Sequence, residues 1–281
     1  MKSFLDCIPC FFEQALRAGR IATDDEKVQK RLLEELGKNL SNISLESTPP
    51  ETGRLIYRMV REITGNPDPF RELKRKSTEQ ALTLYPSLKT IIEESNDKLL
   101  TAIRLAIAGN VIDLGASATF DLDLAIKDSL ENKFAICDYS AFKKYLAKSE
   151  HILYLGDNAG ETVFDKLLIE QMNKPVTYVV RETPVINDAT AEDAIQAGID
   201  KVATIVSSGS DAPGIIPRIC SPELRERLDK SDFIIAKGQG NYEGLSNENY
   251  RIFFLLKAKC QIIADDIGIP KGSIMLKGIN I

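Results

Sequence analysis

The chain has 281 residues, a formal net charge of −5, and hydrophobic residues at 43% of its positions. This composition supports a sizeable core and excludes a disordered chain. Because lysines and arginines are interspersed with acids, nucleic acid is excluded as the main partner. No apolar run approaches the ~20 residues of a membrane span, and no signal-peptide core precedes the first acid and cysteine. We therefore expect no membrane association and a cytoplasmic location.

The first 110 or so residues have the pattern of successive amphipathic helices. Helical spacing and capping residues predict five of them: one around Phe11–Leu16, one entered at Thr23–Glu26, one from Thr48–Glu51 to Gly65, one over 70–94 and one over 97–108. Pro86 marks the position at which the fourth helix would break. The sequence therefore predicts a helical N-terminal subdomain over residues 1–110.

After Gly109 the pattern changes to short apolar runs separated by helical stretches. The runs that predict strands are Ile152–Leu155, Val176–Val180, Lys201–Val206, Phe233–Ala236 and Ile252–Leu256. Continuous apolar runs are typical of parallel strands that are covered by helices on both faces. The sequence thus predicts an α/β fold, a Rossmann-like, mostly parallel sheet over residues 111–281, with the helical subdomain attached to it.

Four of the predicted strands are each followed by glycines and short polar side chains. The segments concerned are 156–161, 181–188, 207–214 and 237–243. In an open parallel sheet, ligands bind at the carboxyl ends of the strands, so these four segments converge on one edge. Their convergence, more than any single motif, indicates a functional site there.

Oxygen donors are prominent among these segments. Asp157, Asn158 and Asp188 offer two carboxylates and an amide carbonyl, a set that suits Mg²⁺ or Mn²⁺. Gly156 would have to turn the chain for the first two to share an ion. The helix that opens near Gly160 would present backbone N–H groups to a phosphate. The alternative for each Asp or Asn is an ordinary turn or helix cap.

Further candidates for phosphate binding lie in the same segments. Lys237 would bring a compact positive charge to a phosphoryl group. Ser210 and the backbone around Gly209 would form a second anion-binding nest, with Asp211 beside it, and Glu161 is a further candidate for substrate binding. Taken alone, Lys237 is an ordinary surface lysine, and Glu161 is an acid favoured in the first turn of a helix.

Five cysteines in a chain of this length do not make a disulfide framework. Cys7 and Cys10 are the only close pair, which is half of a structural zinc or iron–sulfur site. A structural role, a metal shared with a second copy in a homo-oligomer, and redox sensing all stay open for this pair. The single histidine, His151, excludes a zinc site that needs several imidazoles.

Six blocks of the chain together carry a family resemblance. In order, they are Cys7–Cys10, Ala108–Asp113, Gly156–Glu161, Pro184–Thr190, Gly209–Gly214 and Lys237–Asn241. This combination resembles the DUF89 family, which includes the damage-control phosphatases with an ARMT1-like metal-binding domain. The early cysteine pair and the short length resemble the compact prokaryotic or archaeal branch.

The resemblance implies hydrolysis of small phosphorylated metabolites with a divalent cation, namely manganese, magnesium, cobalt or nickel. The metal ligands that it implies are Asp157, Asn158 and Asp188. It also implies that Lys237 lies near the phosphate and that Asn110 and Asp113 lie near the pocket. Sugar phosphates, nucleotides and phosphopantetheine-like compounds are the substrate classes considered.

The mechanistic hypothesis is in-line attack by a metal-activated water, with Asp157, Asn158 and Lys237 as the catalytic residues. Asp157 as a covalent nucleophile is the rival route. Two other functions stay open at this point. One is methyl transfer from S-adenosylmethionine, for which Gly156, Gly160 and Glu182 are a loose match. The other is non-catalytic binding of a phosphorylated metabolite.

Overall fold

The computed structural model describes residues 1–111, 126–127 and 130–281, the side chains of residues 110 and 111 excepted. The N-terminal helices are α1 (Cys7–Ala22), α2 (Glu26–Lys38), α3 (Pro49–Thr64), α4 (Arg71–Glu94) and α5 (Lys98–Val111). Between and after the strands lie α6 (Tyr139–Lys148), α7 (Thr162–Met172), α8 (Ala191–Gln196), α9 (Pro222–Lys230), α10 (Gly238–Leu245) and α11 (Gln261–Ile267). None of the helices in these ranges is long and apolar enough to cross a membrane.

The predicted helix ends follow from recognisable caps. Thr48 and Glu51 form a capping box at the start of α3, and Gly65 ends this helix in the left-handed region with φ of 72°. The side chain of Asp25 caps α2 by accepting from the backbone N–H of Lys27. These predictions are confirmed.

Two predicted features of the helices are wrong. Helix α1 begins at Cys7, ahead of the apolar stretch at Phe11, so the cysteine pair lies in its first turn. Helix α4 continues through Pro86 without a break. Pro86 lies at an exposed position of this helix, which continues with one backbone hydrogen bond fewer.

The strands form one seven-stranded sheet with the order β1-β7-β6-β5-β2-β3-β4. They are β1 (Ile136–Cys137), β2 (Ile152–Leu155), β3 (Val176–Val180), β4 (Thr204–Ser207), β5 (Ile234–Lys237), β6 (Ile252–Lys257) and β7 (Ile274–Ile279). Every neighbouring pair is parallel except β6 and β7. The predicted α/β fold with a mostly parallel sheet is confirmed.

The sheet departs from the sequence prediction at three strands. Strands β1 and β7 were not predicted, and β4 starts at Thr204 because Ile199–Lys201 form a turn of 3₁₀ helix after Gly198, whose φ is 79°. At the carboxyl ends of β2, β3 and β5, the strands end where the polar segments begin, as the pattern predicts.

Helices cover both faces of the sheet, as predicted. One face packs against α4, α5, α6, α7 and α8, and the other packs against α9, α10 and α11. Helices α1, α2 and α3 form a core of their own, which is joined by Val185 and Ile186 from the segment after β3. Helices α4 and α5 therefore share a core with the sheet. The proposed division into 1–110 and 111–281 stays a prediction.

Candidate metal centre and adjoining cavity

A cavity of about 270 Å³ opens where the carboxyl edge of the sheet meets α1 and α3. The sheet edge contributes Asp157, Asn158 and Asp188 to its lining. Other lining residues come from α1, α3, α10 and the start of α11, namely Cys7, Cys10, Gln14, Pro50, Gly53, Gln239, Glu243, Lys259 and Cys260. The three predicted metal ligands thus share one cavity with residues that the sequence did not connect to them.

The backbone brings the segments after β2 and β3 together. The N–H of Ala189 donates to the carbonyl of Asp157 at 2.8 Å, and Asn158 and Asp188 form an isolated antiparallel bridge. Gly156 makes the approach possible, because a Cβ at this position would lie 2.6 Å from the hydroxyl oxygen of Tyr178. Asp157, Asn158 and Asp188 are therefore held at one corner.

Arg181, at the end of β3, is buried between two of these residues. Its Nε donates to Asp188 Oδ2 at 2.6 Å, and its Nη2 lies 3.6 Å from Asp157 Oδ1. The same Nη2 donates to Asn241 Oδ1 at 3.3 Å, whereas Nη1 is buried and has no partner among the described residues. Arg181 thus fixes the two carboxylates relative to each other.

Asn241, in α10, ties three loop segments together with one amide group. Its Nδ2 donates to the carbonyl of Gly156 at 3.0 Å and to that of Lys237 at 2.8 Å. Its Oδ1 accepts from the backbone N–H of Ile215 at 2.9 Å in addition to Arg181. Because the amide is fully buried, loss of any one of these bonds would strand a polar group away from water.

Lys237 lies in a second buried ion cluster behind Asn158. Its Nζ donates to Asp165 Oδ1 at 2.6 Å and to Glu161 Oε2 at 3.1 Å, and its side chain is fully buried. Asp165 also accepts from two tyrosine hydroxyls, Tyr154 at 2.8 Å and Tyr178 at 2.7 Å. The amide nitrogen of Asn158 in turn donates to Glu161. Lys237 therefore holds Glu161 in place, and Glu161 in turn orients the amide group of Asn158.

We call the buried carboxylates Asp157, Glu161, Asp165 and Asp188, together with Arg181 and Lys237, the acidic corner. Four carboxylates face two cations in this set, so its formal net charge is −2 when every group is ionised. Burial raises the pKa of Asp157, and repulsion by Glu161 and Asp188 raises it further. Burial also raises the pKa of Asp188 and of Asp165 against the opposing effect of their cationic partners.

The excess negative charge is the main reason why a divalent cation fits this corner. Burial lowers the pKa of Lys237, but Asp165 and Glu161 outweigh it and the net shift is upward, so this lysine is a fixed cation. Lys74, whose charge also acts on Asp188, is itself paired with Asp68 and Asp193 and adds no surplus. A divalent ion would cancel the remaining charge of a site that burial otherwise penalises.

The donor set also suits such an ion. Asn158 uses its amide nitrogen on Glu161 and, at 3.4 Å, on Asp157 Oδ2, so its carbonyl oxygen is the atom that is left for a cation. With Asp157 and Asp188 it would provide hard oxygen ligands. In the described ranges no three carboxylate, thiol or imidazole groups are arranged for a metal ion.

Lys259 is a cavity residue that the sequence interpretation missed. It is exposed, it follows the carboxyl end of β6, and its positive charge opposes the upward shift in the pKa of Asp157. The sequence contains the information needed to find it. Ligands bind at the carboxyl ends of parallel strands, and this rule applies equally to the fifth predicted strand, Ile252–Leu256. Asp165 could have been found in a similar way, since it lies four residues after Glu161 on the same helical face.

Several predicted site residues lie away from the cavity lining. Ser210 is buried within its own loop, where its Oγ accepts from the N–H of Ala212, and Asp211 contacts arginines on α3. Glu161 and Lys237 are buried behind Asn158. The substrate-binding roles of these four residues stay predictions. Among the described residues that line the cavity, Lys259 is the exposed one with a positive charge.

Three backbone N–H groups around the start of α7 are already engaged. Those of Ala159, Glu161 and Thr162 donate to the carbonyls of Asn187, Asn158 and Ala159, respectively. These three groups are therefore not free for a phosphate, and the phosphate seat expected near Gly160 stays a prediction. Asn110 lies in the last turn of α5, with its side chain outside the described part, and Asp113 lies outside the described residues altogether.

Three of the five cysteines lie at the cavity. Cys7 and Cys10, in the first turn of α1, and Cys260, just before α11, all belong to its lining. Gln14 donates to the sulfur of Cys10 at 3.2 Å, and the backbone N–H of Phe4 donates to that of Cys7 at 3.4 Å. Burial raises the pKa of the Cys7 and Cys260 thiols, so burial favours their neutral forms.

The fold and the acidic corner define an α/β protein with a buried, oxygen-rich site at the carboxyl edge of its sheet. A family model, the damage-control phosphatase ARMT1-like domain, matches residues 3–275. The chain therefore belongs to this family, and the resemblance given by the six sequence blocks is confirmed.

Individual relatives match along nearly the whole chain. A damage-control phosphatase from Pyrococcus horikoshii is 37% identical, over 98% of this chain and 97% of its own length. A damage-control phosphatase from Archaeoglobus fulgidus is 36% identical, over 98% of both chains. A crystal structure of a DUF89 family protein from Pyrococcus horikoshii superposes with a TM-score of 0.90 at 36% identity and covers 99% of both chains.

Proposed function

We propose that the protein is a divalent-cation-dependent phosphatase of the damage-control type, acting on small phosphorylated metabolites in the cytoplasm. The observation that carries this proposal is the acidic corner, whose formal charge of −2 opens onto a cavity that also holds Lys259. A negative corner that binds a cation, next to an exposed lysine, suits a phosphoryl group that must be held and polarised. The names of the relatives support the same activity.

The residues that would hold the cation are Asp157, Asn158 and Asp188, with manganese, magnesium, cobalt or nickel as the candidates. A bound divalent cation supplies Lewis acidity to a phosphoryl group and lowers the pKa of water. Arg181 keeps Asp188 and Asp157 in place, and Glu161 orients the amide of Asn158. These supporting contacts fix the ligand geometry before substrate arrives.

Lys259, which lines the same cavity as the three candidate ligands, would bind the phosphoryl oxygens. Its compact ammonium group donates up to three hydrogen bonds and neutralises charge on the transferring group. The remainder of the lining is mixed: Gln14, Gln239 and Glu243 offer polar groups to substrate hydroxyls, beside apolar residues such as Phe11 and Ile262. A cavity of about 270 Å³ suits a small phosphorylated metabolite such as a sugar phosphate.

The decisive experiment is metal removal and return. Protein treated with a chelator and then dialysed is mixed with a panel of sugar phosphates, nucleotides and phosphopantetheine-like compounds, and released phosphate is measured. We expect little phosphate release without metal and restoration by one or more of Mn²⁺, Mg²⁺, Co²⁺ and Ni²⁺. Phosphate release that is unaffected by the chelator would contradict the proposal, as would an inert protein with every ion and substrate.

A further inference from the structure

A cluster of three arginines lies on α3, outside the cavity. Arg54, Arg58 and Arg61 follow one another at intervals of four and three residues, so their side chains share one face of the helix. All three contact Asp211: Arg61 Nη2 lies 3.1 Å and Arg58 Nη2 3.4 Å from Oδ2, and Arg54 Nε donates to Oδ1. We call these three residues the arginine cluster.

The arginine cluster has more positive charge than Asp211 can neutralise. Three guanidinium groups face one carboxylate, which leaves a formal charge of +2. Glu182 lines the same surface depression as the cluster, which reduces the formal charge to +1, and it already accepts from the hydroxyl of Ser207. Burial works to raise the pKa of Asp211, but hydrogen bonds and charge from Arg54 and Arg58 outweigh it, so its pKa is lowered and it stays ionised.

The cluster also has hydrogen-bond donors to spare. Each guanidinium carries five N–H groups in a planar fork. Asp211 engages Arg54 through Nε and Arg58 through Nη2, and Arg61 uses its other terminal nitrogen on the carbonyl of Pro184 at 2.9 Å. Within the described residues, the terminal nitrogens of Arg54 and the Nε and Nη1 of Arg58 have no acceptor. These donors face a depression of about 470 Å³.

The anion-binding nest expected around Gly209 lies at this depression, but its backbone is not the donor. Gly209 lines the depression, and its N–H donates to Ser207 Oγ at 3.0 Å. The N–H of Ser210 donates to Ser208 Oγ at 3.3 Å. An anion in this depression would therefore accept hydrogen bonds from the guanidinium groups and not from the N–H groups of Gly209 and Ser210.

We propose that the arginine cluster is a second binding site for a phosphoryl group, separate from the cavity. Guanidinium forks pair with phosphate oxygens in a bidentate manner, and a phosphate carries the one to two negative charges that the cluster lacks. The two sites are distinct, because none of the described residues that line the depression also lines the cavity. Inorganic phosphate and the phosphoryl group of a metabolite share this chemistry.

The test is calorimetric titration of inorganic phosphate into chelator-treated protein that carries Lys259→Gln, so that neither metal nor the cavity lysine contributes. We expect binding that weakens about tenfold on further substitution Arg58→Gln, since one charge-assisted fork is lost. Arg251→Gln is the matched control, because Arg251 is a similarly exposed arginine that is paired with Asp232 on another surface. It should leave phosphate affinity unchanged, and thermal melting checks that each variant is folded.

Two results would overturn the second site. One is the absence of phosphate binding to the chelator-treated protein, and the other is equal affinity in the Arg58→Gln and Arg251→Gln variants. A parallel titration with a sugar phosphate distinguishes the sources: equal affinity indicates that a metabolite can occupy the site, and binding of inorganic phosphate alone indicates the free ion. Because no metal is present, failure here leaves the proposed phosphatase activity untouched.

Discussion

The acidic corner and the arginine cluster have opposite charge and opposite exposure. The corner lies in the segments at the ends of strands, whereas the cluster lies on α3 and contacts Asp211, which follows β4. The corner is buried and holds a formal charge of −2, whereas the cluster is partly exposed, with side-chain exposures of 20–47%, and holds +2 with Asp211. Buried charge has to be neutralised by a partner or an ion, while exposed charge is screened by water. A surplus of two charges is therefore costly in the buried acidic corner, which needs a counter-ion. A surplus of equal size costs little in the partly exposed arginine cluster.

Removal of the buried lysine tests the corner most severely. We expect Lys237→Met to lower the free energy of unfolding by about 3–5 kcal/mol, because Glu161 and Asp165 lose their buried counter-charge. The free energy of unfolding is measured by urea denaturation. Lys230→Met, which breaks the exposed pair with Glu226, is the control and should have no measurable effect. Equal effects in the two variants would remove the distinction between buried and exposed charge.

Loss of a proposed cation ligand should lower activity without loss of the fold. Asp157→Asn is expected to reduce phosphate release by at least about 100-fold, since the corner no longer binds the cation in its working geometry. In the metal-free protein the same change should raise the melting temperature, because a carboxylate repelled by Glu161 and Asp188 is removed. Asp24→Asn, at an exposed acid, is the control. A fully active Asp157→Asn variant would refute the assignment of the ligands.

Lys259 should matter for substrate more than for stability. We expect Lys259→Gln to reduce kcat/KM by about 10–100-fold, the value of a lost charge-assisted hydrogen bond to a phosphoryl oxygen. Its melting temperature should match that of the parent, because this side chain is exposed. Lys271→Gln, a second exposed lysine, is expected to leave kcat/KM unchanged. Identical kinetics in the two variants would exclude Lys259 from phosphate binding.

Glu243 offers the smallest effect and the clearest dependence on pH. Burial raises its pKa from 4.5 to about 7, against the opposing effects of Gln239 and the N-terminal amine. The folded state therefore holds a proton that the unfolded state releases, and stability falls as pH rises from about 4.5 through about 7, then levels. Glu243→Gln should remove this part of the slope and add about 1–2 kcal/mol above about pH 8.

The Glu243 measurement is a series of urea denaturation curves across the pH range. Glu150→Gln, at an exposed acid, is the matched control and should retain the slope of the parent. A slope that is the same in the parent and in Glu243→Gln would show that this carboxyl group does not titrate as described.

The sequence predicted the parts of the fold that depend on local pattern. Strands β2 and β3 match their apolar runs residue for residue, and the capping box of Thr48 and Glu51 opens α3 where expected. Strand β1 has two residues, too few for a pattern to register. Strand β7 lies beside β6 in the opposite direction, and pairing between distant segments leaves no local signal.

The sequence predicted that the three candidate ligands meet at one corner, and it missed most of the residues that support them. Asp157, Asn158 and Asp188 meet because parallel strands end at one edge, which is a rule of topology that sequence can apply. The position of Lys237 could not be read in the same way. A lysine after a strand faces either solvent or a buried carboxylate, and only the arrangement of α7 decides that it meets Asp165.

The hydrogen bonds of Asn241 have a consequence for how this family can change its substrates. One amide fixes the loops after β2 and β5 and the loop that contains Ile215, so the side of the cavity that carries the candidate ligands tolerates little variation. The facing wall comes from α1 and α3, whose apolar residues form a separate core. Substitutions on α1 and α3 can therefore change substrate specificity, while the segments that carry the candidate ligands stay unchanged.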